Sequence, residues 1–446
     1  MRKLVRKKYV EILERLFKIT YLLLGIATFN SFLYDSSIQP VLVKVCFVLG
    51  VVTLIGRLLF FKDYYKMPNW PLLMIFCVVF LLSMITNIKY GAFWEDFKWL
   101  VWTGLLFFML YVCDTTRDKK KYEKEFAILS HILIIYTAIA SLAGIWLMSN
   151  HYQMKWWSSS NELMQAGFRW GRLWGVYTDP NYGGIITVIA VLLSIYFLKT
   201  QKGWKKIIYI PIIAVDYLYI AFCDSRTAEV AMLLAGGFWM AYTAVQKRNV
   251  KRIFLYVLLA IVFAGGFIGE TSVIKSWYNE NFSTQGQTVG RVDEIQEDVS
   301  NGRLALWSSG IEIWKTRPIL GTGYNSFLPY ADKELPDSYA VNNPQGDYVS
   351  LHNEYLNILV YHGILGAGVF LIFIVRTIYL WLKNFWKIDP EDIDYIGVLS
   401  ACCIAVAAAM LFLLEGLHTN SPGAFVLWTF LGYLMHYSFK TGSIKR

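Results

Sequence analysis

The sequence predicts an all-α polytopic membrane protein of about twelve transmembrane helices, with a large outer loop carrying amphipathic helices. Three observations carry that expectation. Hydrophobic residues make up 56% of the 446-residue chain and charged residues only 17%, a balance foreign to water-soluble domains. Apolar stretches long enough to cross roughly 30 Å of hydrocarbon recur near residues 16–34, 41–60, 70–88, 97–113, 126–149, 182–198, 207–223, 227–245, 253–270, 354–382, 395–414 and 422–438. Lysine and arginine also fall on alternate loops: with the N-terminus inside, 29 of the 42 basic residues face the cytoplasm. Twelve spans return the C-terminus to the same side.

Taken in order, the first stretch follows Arg2, Lys3, Arg6, Lys7 and Lys8 and precedes no small-residue cleavage site, so it reads as a retained helix and not a signal peptide. Loops after the first, third, seventh and eleventh spans are short on the outer side, residues 150–181 form a medium loop, and residues 271–353 a large one. The expected division is therefore 1–270 (helices 1–9), 271–353 (outer loop) and 354–446 (helices 10–12). Within the large loop, Leu304, Trp307, Ile311 and Trp314 recur at helical spacing, which predicts an amphipathic helix over Arg303 to Lys315 with Ser300 or Asn301 as its cap. Arg317-Pro318 ends that helix, and Gly321 and Gly323 supply a turn. Its plainer reading is a lid lying on the membrane surface.

The net charge of +10 is mostly membrane topology, since no basic stretch sits on a soluble domain, and nucleic acid is not an expected partner. All six cysteines lie in or at the ends of apolar spans, so neither a metal cluster nor a disulfide framework is expected, and Cys402-Cys403 reads as helix packing.

Candidate chemistry gathers on the outer face, where three spans enter the membrane behind a polar motif and point their positive N-terminal ends outward. Span 6 follows Arg172 to Asp179, with Asp179 as cap and Pro180 in the first helical position. Span 8 follows Asp224-Ser225-Arg226, with Ser225 as cap. Span 10 is expected to start near Ser350, placing His352 in the first turn, where the positive helix end keeps the imidazole neutral as a base must be. Convergence of these ends would make an anion site lined by Arg172, Arg226 and either Arg303 or Arg291. The plain alternatives are interfacial arginines meeting lipid headgroups, packing histidines at His362 and His131, and Asp216 and Glu229 either as partners of Arg226 or as helix–helix hydrogen-bonding groups. Glu415 and His418 flank the last outer loop and are candidates to join the site.

Two absences narrow the class. The first outer loop carries only Asp35, not the paired acidic residues of metal-dependent lipid-linked glycosyltransferases, so no metal or cofactor is implied. No Walker A motif marks an ATP-driven pump.

The ordered motifs Arg172 to Asn181, Ser225-Arg226, Gly302 to Gly323 (Gly-Arg-Leu…Pro-Ile-Leu-Gly-Thr-Gly) and His352 to Gly366 (His-Asn-Glu-Tyr-Leu…Gly-Ile-Leu-Gly) resemble the O-antigen ligase/O-antigen polymerase superfamily of bacterial integral-membrane glycosyltransferases. The resemblance covers roughly residues 165–375. It implies a GT-C-like membrane protein of the bacterial cytoplasmic membrane that transfers a glycan from undecaprenyl diphosphate to a sugar hydroxyl, inverting and without metal. Arg226 and Arg172 would hold the diphosphate, Arg303 would assist, His352 would activate the acceptor and Asn353 would orient it, with Ser225, Asn181 and Glu354 in support. Implied partners are the undecaprenyl-diphosphate-linked oligosaccharide, membrane lipid and a chain-length regulator protein. Polymerases of the superfamily extend another lipid-linked repeat unit and ligases transfer to lipid A core or another acceptor; the polymerase is the favoured expectation here. A flippase is the competing class, but it calls for cations along a midplane cavity and repeated halves. A non-catalytic scaffold that binds lipid-linked glycan is the third.

Overall fold

The computed structural model describes residues 2–159, 161–246, 250–283, 288–290, 302–343 and 346–443, and the expected caps Ser300 and Asn301 and the candidate Arg291 lie outside them. Sixteen α-helices follow in order among the described residues: α1 Arg2–Thr28, the short α2 Ser31–Tyr34, α3 Ile38–Leu58, the short α4 Phe61–Tyr64, α5 Trp70–Thr86, α6 Phe93–Leu105, α7 Lys119–Ser149, α8 Pro180–Thr200, α9 Tyr209–Cys223, α10 Arg226–Gln246, α11 Val250–Asn281, α12 Arg303–Thr316, α13 Phe327–Glu334, α14 Glu354–Asn384, α15 Ile393–Ala409 and α16 Pro422–Ser443. Each expected span coincides with one of these helices. Among the described residues, seven segments are long and apolar enough to cross a membrane: Ile38–Leu58, Lys119–Ser149, Pro180–Thr200, Trp204–Cys223, Arg226–Gln246, Glu354–Lys387 and Pro390–Ala409.

Several other helices carry features that set them apart from a plain apolar span. Trp70–Thr86 is apolar but shorter. Helix α6 runs into a π-helical turn over Leu106–Tyr111. Helix α1 carries Glu14 and Lys18, whose charges are buried. Glu14 accepts Nε of Arg57 at 2.8 Å and is also paired with Arg117, while Lys18 Nζ meets Glu125 at 2.6 Å. Buried charges persist only when paired this way.

The segment 150–181 holds an element that the helical pattern did not foretell: a three-stranded antiparallel sheet of β1 Gln153–Trp157, β2 Leu163–Arg169 and β3 Arg172–Gly175. The sheet docks on the start of α2, where Ser31 N donates to Val176 O at 2.8 Å and the Ser31 hydroxyl donates to Gln165 O at 2.7 Å.

In the large loop, α12 forms where expected, but its cap is Gly302 and its face is rotated. Leu306, Ser309, Gly310 and Ile313 are buried, whereas Leu304 is 65% exposed. The reason is the partner surface: a small outer core joins Leu306 and Ile313 to Phe327, Tyr330, Leu351, Val360 and Tyr361, so α12 turns toward the start of α14.

Helix α14 is broken at Gly363, whose φ of 63° belongs to the left-handed region. Into that break fits the turn Pro318 to Gly323. Thr322 N donates to Val360 O at 2.9 Å, Gly323 N to Tyr361 O at 2.9 Å and Ile364 N to Pro318 O at 2.8 Å, and a Cβ at residue 363 would strike Ile319 O. The two glycine-containing motifs are thus two halves of one joint, each satisfying backbone groups that the other leaves open. Helix α15 stops at Ala409, short of the expected 414, and residues 410–421 form an irregular buried segment. Its polar groups are met from inside the protein: Glu354 N donates to Met410 O at 2.8 Å and Trp428 Nε1 to Gly416 O at 2.7 Å. Non-helical backbone at such a place is tolerated only when protein satisfies it.

Candidate functional site

A cavity of about 340 Å³ opens where the N-terminus of α8, the β2–β3 hairpin, the N-terminus of α12 and the loop before α14 meet. Arg172, Asn181, Arg303 and His352 line it, together with Trp170, Trp174, Asp179, Tyr182, Tyr348 and Leu413.

The α8 end is built as its sequence dictates. Asp179 is extended and its carboxylate accepts Asn181 N at 2.7 Å, while Pro180 fills the position that needs no N–H. Asn181 then acts as a hub, since its Oδ1 accepts from Arg172 Nη2 at 2.8 Å and from the Ser225 hydroxyl at 3.0 Å. Arg172 also donates Nε to Cys223 O at 2.8 Å. Two of its five N–H groups are thereby used to aim the guanidinium, and the others remain for a ligand. Ser225 Oγ accepts Ala228 N at 3.3 Å, capping α10 as expected.

Arg226, the first residue of α10, is exposed and does not line the cavity, but its charge reaches the site: together with Arg172 it disfavours the protonated form of Arg303. Burial is the largest cause of the lowered Arg303 pKa, with Asp179 opposing. Several guanidinium charges crowded onto one polar pocket make an electrostatic vacancy for an anion. Asp216 accepts from Thr137 at 3.1 Å and Ser141 at 2.8 Å between helices, and Glu229 lies 3.5 Å from Lys275.

His352 departs from its expected place. Helix α14 begins at Glu354 with Asn353 as its cap, accepting Leu356 N at 3.1 Å, so His352 precedes the first turn, with a left-handed φ of 48°. A non-glycine residue held there carries of the order of 1 kcal/mol of strain or more, sustained by its surroundings. The clamps are visible on either side: Leu351 O accepts Trp307 Nε1 at 3.0 Å, and Leu351 N donates to Asn357 Oδ1 at 3.0 Å. Burial holds the imidazole below its ordinary pKa; the Arg303 charge adds to this and Asp179 opposes it. The neutral base expected from the helix end is thus favoured mainly by burial and a neighbouring cation. Asn353, read from the resemblance as orienting an acceptor, has its side-chain oxygen committed to the helix cap.

Behind this loop lies a buried polar chain. Glu354 Oε1 meets His418 Nδ1 at 2.5 Å, and His418 Nε2 meets His362 Nε2 at 3.0 Å. His418 therefore joins the site's support and not its lining, and His362 packs against Phe80 and Phe76 as well as bonding through Nε2. Glu415 instead accepts the Ser421 hydroxyl at 2.5 Å. His131 bonds Ala127 O and the Tyr209 hydroxyl within the helical bundle, consistent with packing.

Sequence reasoning missed the aromatic wall of Trp170, Trp174, Tyr182 and Tyr348. Trp170-Gly171 was the available signal, a turn dipeptide with an unusual first member. Among the described residues, no group of three or more His, Cys, Asp and Glu side chains is placed to hold a metal ion. The cysteines are unbridged, and Cys402 and Cys403 are buried in α15.

Residues 211–371 match the family model described as O-antigen ligase. The match includes Arg226, Arg303 and His352, and stops short of Arg172 and Asn181. Comparison with curated proteins gave no significant match.

Proposed function

We propose that this chain is a polysaccharide polymerase of the bacterial cytoplasmic membrane, a reading supported by the match of residues 211–371 to the O-antigen ligase family model. It transfers a glycan from undecaprenyl diphosphate to a sugar hydroxyl of another lipid-linked repeat unit at the outer face. The observation that carries the reading is the meeting of Arg172, Arg303 and a partly buried, neutral-leaning His352 around one cavity, with Arg226 adding charge from its edge.

The chemistry follows from those groups. The donor's anomeric carbon is already bonded to a good leaving group, so the reaction needs charge stabilisation more than an acid. Arg172 and Arg303, with the positive end of α8, hold the diphosphate as its oxygen gains charge. The ring nitrogen of His352 takes the proton of the acceptor hydroxyl as that oxygen attacks the anomeric carbon from the face opposite the diphosphate. The new glycosidic bond forms, the bond to the diphosphate breaks with its electron pair, and the configuration inverts. No metal is called for, and turnover should persist in chelator.

The test is to give the purified protein, in lipid, a defined undecaprenyl-diphosphate-linked oligosaccharide and resolve the products by size. A ladder of lengthened lipid-linked chains supports the polymerase. Transfer only when lipid A core is added reassigns it as a ligase. Translocation without any new glycosidic bond makes it a transporter.

A further inference from the structure

The turn between β2 and β3 contains a residue that folding alone does not explain. Arg169 pairs with Arg172 across it, and both central residues, Trp170 at φ 50° and Gly171 at φ 68°, lie in the left-handed region. Such a turn is cheapest as Asn-Gly, and a bulky side chain in its first position is strained. Trp170 recovers little by burial, because it is 65% exposed. Its setting is nevertheless fixed. Gly171 O accepts Gly290 N at 2.9 Å, and a Cβ at residue 171 would strike Gly290 O. The Arg169 guanidinium stacks 4.4 Å from the centre of the Trp170 ring, and the Trp174 ring meets it edge-on at 5.6 Å.

Arg169 does not line the cavity, whereas Trp170 and Trp174 do. Trp174 is buried, and its indole N–H has no hydrogen-bond partner among the described residues. Arg172 sits between the two tryptophans in sequence, so one hairpin presents a cation beside an apolar plate. A sugar ring suits that combination: its C–H face packs on the exposed indole plane of Trp170 while its hydroxyls stay toward the polar side of the cavity.

We propose that Trp170 and Trp174 form a platform for the sugar directly bonded to the donor's diphosphate, which adds to the proposed polymerase a subsite for the donor glycan. The inference rests on the reading of the cavity as a lipid diphosphate site, and the experiment separates the two. Binding of undecaprenyl diphosphate, and of the same lipid carrying one glucose or one N-acetylglucosamine, is measured on nanodisc-embedded protein. At least one sugar-bearing lipid should bind more tightly than the bare diphosphate. Trp170→Ala should weaken that binding about ten-fold, the scale of one aromatic contact, and leave the bare diphosphate unchanged. Trp170→Phe should keep most of the preference, and Trp174→Phe, which shortens the ring that meets Trp170 edge-on, should lose part of it. Trp170→Asn, suited to a left-handed turn, guards against a folding defect and should behave as Trp170→Ala does. A wild type with no preference for sugar, or variants that weaken both kinds of lipid equally, would overturn the platform. Failure of the wild type to bind the bare diphosphate overturns the diphosphate site itself.

Discussion

At the residue scale, the account depends on a small number of side chains whose protonation and geometry can be read separately. His352 is held below its ordinary pKa of about 6.5 by burial and by Arg303. The base works when neutral, so activity is lost as pH falls, and kcat/KM should show its acidic limb below that ordinary value. A bound diphosphate opposes the shift, so the limb in kcat should lie higher than the limb in kcat/KM. Arg303→Gln removes the cation and should move the kcat/KM limb upward in pH; a limb that stays fixed would detach Arg303 from His352. Arg172→Lys is a second probe. Its guanidinium bonds Cys223 O and Asn181 simultaneously, which an ammonium cannot do while also presenting a fork to phosphate, so donor KM should rise about ten-fold or more. An unchanged KM would make Arg172 a structural residue. Much of this was legible in the chain: Arg172, Arg303 and His352 stood out as charged or titratable groups at the mouths of apolar spans. Trp170 did not, because a single sequence shows neither the sign of φ at a turn nor which face of an aromatic stays uncovered.

At the element scale, helix ends and one helix break position these groups. Asp179-Pro180 and Ser225 announced their caps through residue types whose side chains satisfy open amides, and the structure bears both out. The start of α14 was misplaced because Ser350 and Asn353 are both cap formers, and the choice fell to Asn353 through the outer core that holds Leu351. The sheet at β1–β3 escaped notice since its strands are short and irregular in alternation. The rotated face of α12 reflects a partner surface that no periodicity reveals. The joint between the Pro318 to Gly323 turn and the break in α14 gives a sharp prediction. Gly363→Ala must adopt a left-handed backbone and drive its methyl into Ile319 O, so it should destabilise the protein by at least about 2 kcal/mol, seen as a lower Tm in detergent. A Tm equal to wild type would show that the joint does not hold the outer loop in place.

At the scale of the whole molecule, the basic-residue bias predicts that residues 150–181 and 271–353 lie on the side opposite the N-terminus. A cysteine at the exposed position Asp337 should react with an impermeant maleimide in intact cells; reaction only after permeabilisation would invert the topology. The proposed transfer between two lipid-linked glycans needs that arrangement, because a lipid-borne diphosphate must reach the cavity from the membrane surface. The measurement that tests this most directly is the turnover and donor affinity of His352→Ala, determined on one reconstituted preparation beside wild type with a lipid-linked oligosaccharide as substrate. Removal of a general base should lower kcat by roughly 10² to 10⁴ while donor binding stays within about two-fold. Wild-type turnover by His352→Ala, or loss of donor binding in place of turnover, would contradict the assignment of this cavity as the transfer site with His352 as its base.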